Sequence, residues 1–145
     1  MAMTDNRIHL ITLGVKDMTA SRAYYEAMGW ETAPISMDEV TFFQSGPQVL
    51  GLYLQDALDH DTGLSGAKPG GISLAVNVAS REAVDAMVQK ALAAGATVLA
   101  EPKVMPWGGY TAYVADPDGH PWEFSHVAQL VPDQSGALIL PDSLA

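Results

Sequence analysis

The side chains able to do chemistry in this chain are four histidines, His9, His60, His120 and His126, together with 17 acids and a small set of tyrosines and tryptophans. Cysteine is absent, which removes thiolate nucleophiles, disulfides and Cys-ligated zinc or iron–sulfur centres together. Any metal would have to be held by His, Asp and Glu. No two histidines share a spacing that aims them at one point, so His9, His60 and His126 read first as structural or surface residues. His120 precedes Glu123 in the run His120-Pro121-Trp122-Glu123 and is a candidate general acid or base, against the plainer role of a capping or solvated turn residue. Glu123 is either a functional acid or a carboxylate that bonds a neighbouring backbone or solvates. Tyr53, Tyr113, Trp107 and Trp30 offer flat rings that stack on a planar or cationic ligand, or else fill a core. No Ser-His-Asp arrangement, phosphate loop or dinucleotide fingerprint is present.

These residues must be positioned by regular elements, and the chain repeats itself. Ile11-Thr12-Leu13-Gly14-Val15 reads against Ile72-Ser73-Leu74-Ala75-Val76, both with strand alternation. Each leads into a helix. The first is expected to start near Asp17 or Thr19 and to bury Ala20, Ala23, Tyr24, Ala27 and Met28 before Gly29 ends it. The second starts at the cap Ser80, buries Val84, Met87, Val88, Ala91 and Leu92, and ends at Gly95. A short edge-like segment and a proline follow each glycine, Pro34 and Pro102, and then a strand pair. The pairs are Val40–Ser45 with Val49–Gln55, and Tyr110–Ala115 with Trp122–His126, the latter joined by the turn Asp116-Pro117-Asp118-Gly119. Each half is therefore β-α-β-β-β. The expected division is module one at about 7–56, a linker without period at about 57–70, module two at about 71–126 and a tail over 127–145, with Ala137–Leu140 as a further strand.

A length of 145 residues suits one ordinary domain, and 48% hydrophobic residues supply a core. No apolar run reaches the roughly 20 residues a membrane span needs. The start MAMTDNRIHL lacks the basic and apolar regions of an export signal, so a cytoplasmic location is expected. The formal charge of −10, with no Lys/Arg cluster, repels nucleic acid and favours, if any ligand, a cationic one.

The run ITLGVKDMTASRAYYEAMGWE, followed a module later by WGGYTAYVADPDGHPWEFSH, resembles the vicinal oxygen chelate superfamily of glyoxalase I, bleomycin-resistance proteins and extradiol dioxygenases. The likeness covers about residues 7–126, and DPDGHPWE is its most specific piece. It implies an α+β fold in which two βαβββ modules form a half-open mixed β-sheet barrel around a cavity, often in a homodimer. Metal-using members place four ligands on the cavity face, on the first and last strand of each module. Alternation puts Ile11, Leu13 and Val15, and likewise Leu50, Leu52 and Leu54, against the helices, leaving Leu10, Gly51, Tyr53 and Gln55 facing the cavity. In the second half the corresponding positions are Gly71 and Glu123, with Trp122 and Phe124 on the opposite face. The ligand places are thus held by Leu10, Gly51, Gly71 and Glu123, which offer one carboxylate where a divalent ion needs at least three protein donors. No cofactor is expected.

The reading that follows is a metal-independent, glyoxalase/bleomycin-resistance-like homodimer that binds a small cationic or aromatic molecule in the cavity. Its candidate ligand-binding residues are Tyr53, Gln55, Trp107, Tyr113 and Glu123, and the last is the candidate base if there is a reaction. The alternative is a lyase, isomerase or dioxygenase-type enzyme, metal-dependent if the strand register differs from the one above.

Overall fold

Alternating branched and small residues make Leu10–Val15 the first strand, β1, in the computed structural model, which describes residues 7–143. Asp17 ends it as a helix cap: its carboxylate accepts from the Ala20 amide at 3.0 Å, satisfying one of the free donors at the start of α1, Met18–Ala27. Two strands follow, β2 (Val40–Ser45) and β3 (Gln48–Leu54), and then a short helix, α2 (Gln55–Thr62). The chain divides into two units after Ser65. The second unit holds β4 (Leu74–Asn77), α3 (Arg81–Ala94), β5 (Thr97–Val104), β6 (Tyr110–Ala115) and β7 (Pro121–His126). Both units thus carry the strand-helix-strands order expected from the repeat. In the first, the segment after Gly29 shrinks to a single bridge between Thr32 and Phe43. No helix among the described residues is long and apolar enough to cross a membrane.

Module one is a three-stranded mixed sheet in the order β1-β3-β2, with β1 parallel and β2 antiparallel to β3. Its pairing fixes the faces. Leu13, Val15, Leu50, Leu52, Thr41 and Phe43 are buried on the side that α1 covers. The residues α1 contributes are Met18, Ser21, Tyr24 and Tyr25, rather than the expected alanines. Ala20, Ala23 and Ala27 are exposed, because the larger side chains one position away remove more apolar surface from water. Ser21 Oγ lies fully buried with no hydrogen-bond partner. A hydroxyl in that condition costs about 1–3 kcal/mol, so Ser21→Ala should raise stability by about 1 kcal/mol. An unchanged or lower unfolding midpoint in urea would show that the hydroxyl is satisfied.

Module two is a four-stranded mixed sheet in the order β4-β7-β6-β5, parallel only between β4 and β7. The Ser80 hydroxyl caps α3 by accepting from the Ala83 amide, and Gly95 closes it at φ +109°. Val84, Val88 and Ala91 pack on Ala112, Val114, Trp122 and Phe124, whereas Leu92 is exposed. The strand expected from Ile72 starts later, at Leu74. Trp122 is the first residue of β7 that β4 pairs with, and before it stands Pro121, which has no amide to donate. Ile72 is consequently 75% exposed, and Gly71 lies outside the strand.

The stretch at about 57–70, read as a linker without period, opens inside α2, an eight-residue helix that buries none of its side chains. One further expectation is corrected. The tail forms no strand at Ala137–Leu140; Leu138, Ile139 and Leu140 are exposed, and the Asp133 carboxylate instead folds the segment by accepting from the Ser135 and Ala137 amides. The start of the tail is tied down where Asn77 Nδ2 donates to the Leu130 carbonyl.

Candidate functional site

On the face of module one turned away from α1, the register aligns Thr12, Gly51 and Phe42 in one row and Gly14, Tyr53 and Val40 in the next. Gly51 matters for what it lacks. A Cβ built there would stand 3.3 Å from Leu10 Cδ1 and 3.6 Å from the Phe42 ring, so those side chains close over the glycine. The floor they make continues to Tyr53 and forms a groove of about 600 Å³, walled by Met37 and Val40 and edged by Asp38, Glu39 and Asp61.

Each acid on that edge is held by backbone structure. The turn carrying Asp38 and Glu39 is closed by the Met37 amide donating to the Val40 carbonyl and the Val40 amide to Met37. Arg22 locks it from α1, with Nη2 donating to the Met37 carbonyl at 3.1 Å and Nε to Thr41 Oγ1 at 2.9 Å. Asp61 rides on α2, and its carboxylate accepts from the Tyr53 hydroxyl at 2.8 Å. That hydrogen bond first, then partial desolvation and the charges of Asp61 and Glu39, raises the Tyr53 phenol above its usual range, so it stays protonated and a donor.

Gln55 does not sit on the last strand as expected, since β3 ends at Leu54 and Gln55 opens α2. Its Nε2 donates to Asp59 one helical turn on, and its carboxamide lies directly over Gly14, where a Cβ would meet Oε1 at 2.0 Å. A second hollow of about 670 Å³, lined by Lys16, Glu39, Gln55 and Asp56 among others, has no aromatic wall. The groove is therefore the better receptor for a ring.

In module two, Tyr113 and Glu123 stand directly opposite each other on β6 and β7, and the Tyr113 hydroxyl donates to Glu123 Oε2. Both are half-buried, and they share a sheet face with Ala75 and Ala100. The bond to Glu123, with burial and the carboxylate's charge, raises the Tyr113 phenol as well. Trp107 lies in the turn between β5 and β6, 54% exposed, with its indole laid over Gly109. Trp30 packs against Phe43 in the module-one core, with ring centroids 6.1 Å apart, rather than at a rim.

Each histidine has its own local setting. His9 and His60 are exposed, His120 donates its backbone amide to Asp116, and His126 Nδ1 bonds the Val78 carbonyl at 2.9 Å. No group of three or more His, Asp or Glu that could hold a metal ion occurs among the described residues. Of the four positions where the superfamily's metal-using members carry ligands, Leu10 is an exposed apolar side chain, Gly51 is covered, Gly71 is outside the sheet and Glu123 already accepts from Tyr113. That donor set does not fit a divalent ion.

Sequence reading misses the acids Asp38, Glu39 and Asp61 and the apolar residues Met37, Val40 and Phe42 of the groove. Asp61 lies in the stretch taken as a linker, and the one local signal for a helix there is the Gln55/Asp59 pair four residues apart.

A family model described as the Glyoxalase/Bleomycin resistance protein/Dioxygenase superfamily matches residues 7–124. Among solved structures, the chain is similar to a glyoxalase-related enzyme from Fulvimarina pelagi, at 33% identity and a TM-score of 0.87, covering 93% of this chain and 98% of that one. It is similar at 24% identity and a TM-score of 0.74 to a glyoxalase/bleomycin resistance protein/dioxygenase family enzyme from Burkholderia phytofirmans PsJN, covering 81% and 96% of the two chains. A lactoylglutathione lyase from Agrobacterium tumefaciens shares 21% identity at a TM-score of 0.65, covering 86% and 96%. The last two likenesses speak for the fold alone. Among curated proteins, none matches.

Proposed function

Because the chain belongs to the Glyoxalase/Bleomycin resistance protein/Dioxygenase superfamily, we propose that it is a member that binds a small molecule without a metal, holding a cationic, ring-bearing ligand in the groove of module one. The observation that carries this reading is the groove's composition. Phe42 and Tyr53 supply ring surface, Leu10 supplies apolar contact, and the carboxylates Asp38, Glu39 and Asp61 edge it. A ring cation gains from both parts at once, through stacking and cation–π attraction on the floor and Coulomb attraction at the edge. The charge of −10 adds a longer-range pull of the same sign.

Tyr53 has two roles in this reading. Its ring is part of the floor, and its hydroxyl fixes the Asp61 carboxylate at one side of the groove. Titration calorimetry with a panel of planar aromatic cations and their neutral isosteres tests it. The cations should bind, the isosteres should bind at least tenfold more weakly, and Tyr53→Ala should weaken the cations by roughly tenfold, the loss of one ring contact with its charge attraction. Equal affinity for both classes, or no effect of the substitution, would defeat the proposal.

The metal part of the reading rests on the poor donor set. Elemental analysis of protein purified without chelator should find no stoichiometric divalent ion, and finding one would favour the alternative, an enzyme of the lyase, isomerase or dioxygenase kind. The same proposal takes the protein as a cytoplasmic homodimer, for which light scattering should return about twice the chain mass of 15.4 kDa.

A further inference from the structure

The groove of module one carries its charge at one end. Asp38 and Glu39 immediately precede Val40, and Val40 pairs with Tyr53, whose hydroxyl donates to Asp61. The charges of Asp61 and Glu39 both act on that hydroxyl. The carboxylates therefore gather about the row formed by Gly14, Tyr53 and Val40. Back along β1, the next row on the same face is Thr12, Gly51 and Phe42, and the one after it is Leu10, Val49 and Gln44. Neither holds an ionisable side chain. Leu10 and Phe42 close over Gly51, so apolar surface runs on from the Tyr53 ring to Leu10. Four residues of strand separate Leu10 from Gly14, about 13 Å at the usual rise.

A ring cation alone answers only the charged end. Its Coulomb attraction and its stacking on Tyr53 lie within one row, and the surface from Gly51 to Leu10 is left uncovered. Leu10 is 47% exposed, and a side chain in that condition gains when apolar surface covers it. A second charge placed there would meet no carboxylate in its row and would lose hydration against Leu10 and Phe42. The groove, at about 600 Å³, has the size of one for a drug-sized molecule rather than for a single ring. We propose that the ligand is an amphiphilic cation, with its charged head beside Asp61 and the Asp38–Glu39 turn and an apolar extension lying over Gly51 to Leu10. This deepens the groove reading above and rests on it.

N-alkylpyridinium salts separate the two parts, since the head keeps its size and permanent charge while the chain grows. Titration calorimetry from N-methyl- to N-hexylpyridinium should show affinity rising about twofold or more per methylene, half the full transfer free energy because the groove is open on one side. The hexyl compound should thus bind at least about thirtyfold more tightly than the methyl one. Leu10→Thr puts a polar, strand-forming residue at an exposed position and should lower that hexyl-to-methyl ratio at least about threefold. Leu10→Ala, which shortens the same side chain without adding a hydroxyl, should lower it in the same direction. Leu92→Gln, which removes an exposed leucine on α3 of module two, should leave the ratio where it was. Melting curves confirm that each variant is folded.

A ratio near one, with N-methylpyridinium still bound more tightly than toluene, would leave the groove reading standing and overturn this one. So would a ratio that neither substitution of Leu10 lowers, because the chain would then lie elsewhere. A ratio that Leu92→Gln lowers as much as Leu10→Thr does would mean nonspecific contact, with the same result. If no cation of the series binds better than the alkylbenzene of equal length, the groove reading itself fails and this one falls with it.

Discussion

Replacing Phe43 by alanine should lower the stability of the protein by about 3–5 kcal/mol, the usual loss for truncating a buried aromatic ring. Phe43 has no solvent exposure. Its ring packs against Tyr25 at 5.7 Å between centroids and against Trp30 at 6.1 Å, and Tyr25 in turn meets Tyr24 edge-on at 5.0 Å. Removing it opens a void at the point where α1, β2 and the segment after α1 converge, and rigid rings are poorly able to collapse into a void. A loss of this size is a large share of the roughly 5–15 kcal/mol by which domains are stable. Phe43→Leu refills most of the volume and should cost substantially less. Chemical denaturation of both variants checks the expectation. An alanine variant within about 1 kcal/mol of the parent would mean that the ring cluster is not the centre of the module-one core.

The strand-helix-strands repeat is legible in the sequence because each of its parts buries one face, and burial leaves a period. Val84, Val88 and Ala91 recur along α3, and Leu50, Leu52 and Leu54 alternate in β3. Helix caps are legible for a different reason: Asp17 and Ser80 are residue types whose side chains accept from amides that the helix leaves free. α2 is illegible by the same logic. It buries nothing, so it has no apolar period, and polar contacts that depend on tertiary position, such as Tyr53 to Asp61, hold it in place. The buried face of α1 is misread because alanines fit the helical spacing as well as tyrosines do. Volume decides between them, and spacing carries no volume.

The candidate site divides in the same way. Alternation is enough to put Tyr53 and Gly51 on one face of module one and Glu123 opposite Trp122 in module two, and the pairing in the structure agrees. What alternation cannot give is partnership. That Tyr113 and Glu123 are opposite one another depends on the register of two strands, and the register depends on the turn between them.

That turn is the place for the other large effect. Asp116 is 4% exposed, and its Oδ1 accepts from the amides of Asp118 at 2.9 Å and His120 at 2.8 Å, while its backbone exchanges hydrogen bonds with Gly119 and His120. The chain can reverse in so few residues because Gly119 adopts φ +91°. A side chain there would have room, since the nearest atoms to a Cβ are in the Pro69 ring at 3.7 Å and 3.9 Å. Conformation, not crowding, is what excludes a larger residue. Gly119→Val forces a β-branched residue into the left-handed region and should destabilise the protein by about 1–3 kcal/mol, whereas Gly119→Asn, which tolerates positive φ better, should cost less. A loosened turn also loosens the strand register, so in the valine variant the Tyr113 hydroxyl should titrate nearer its ordinary value as its bond to Glu123 weakens. Melting curves and an absorbance titration of the tyrosines measure the two consequences separately. A valine variant that melts with the parent would show that the turn does not depend on its glycine. One that melts early yet keeps the raised tyrosine would show that the pair is held by the strands themselves.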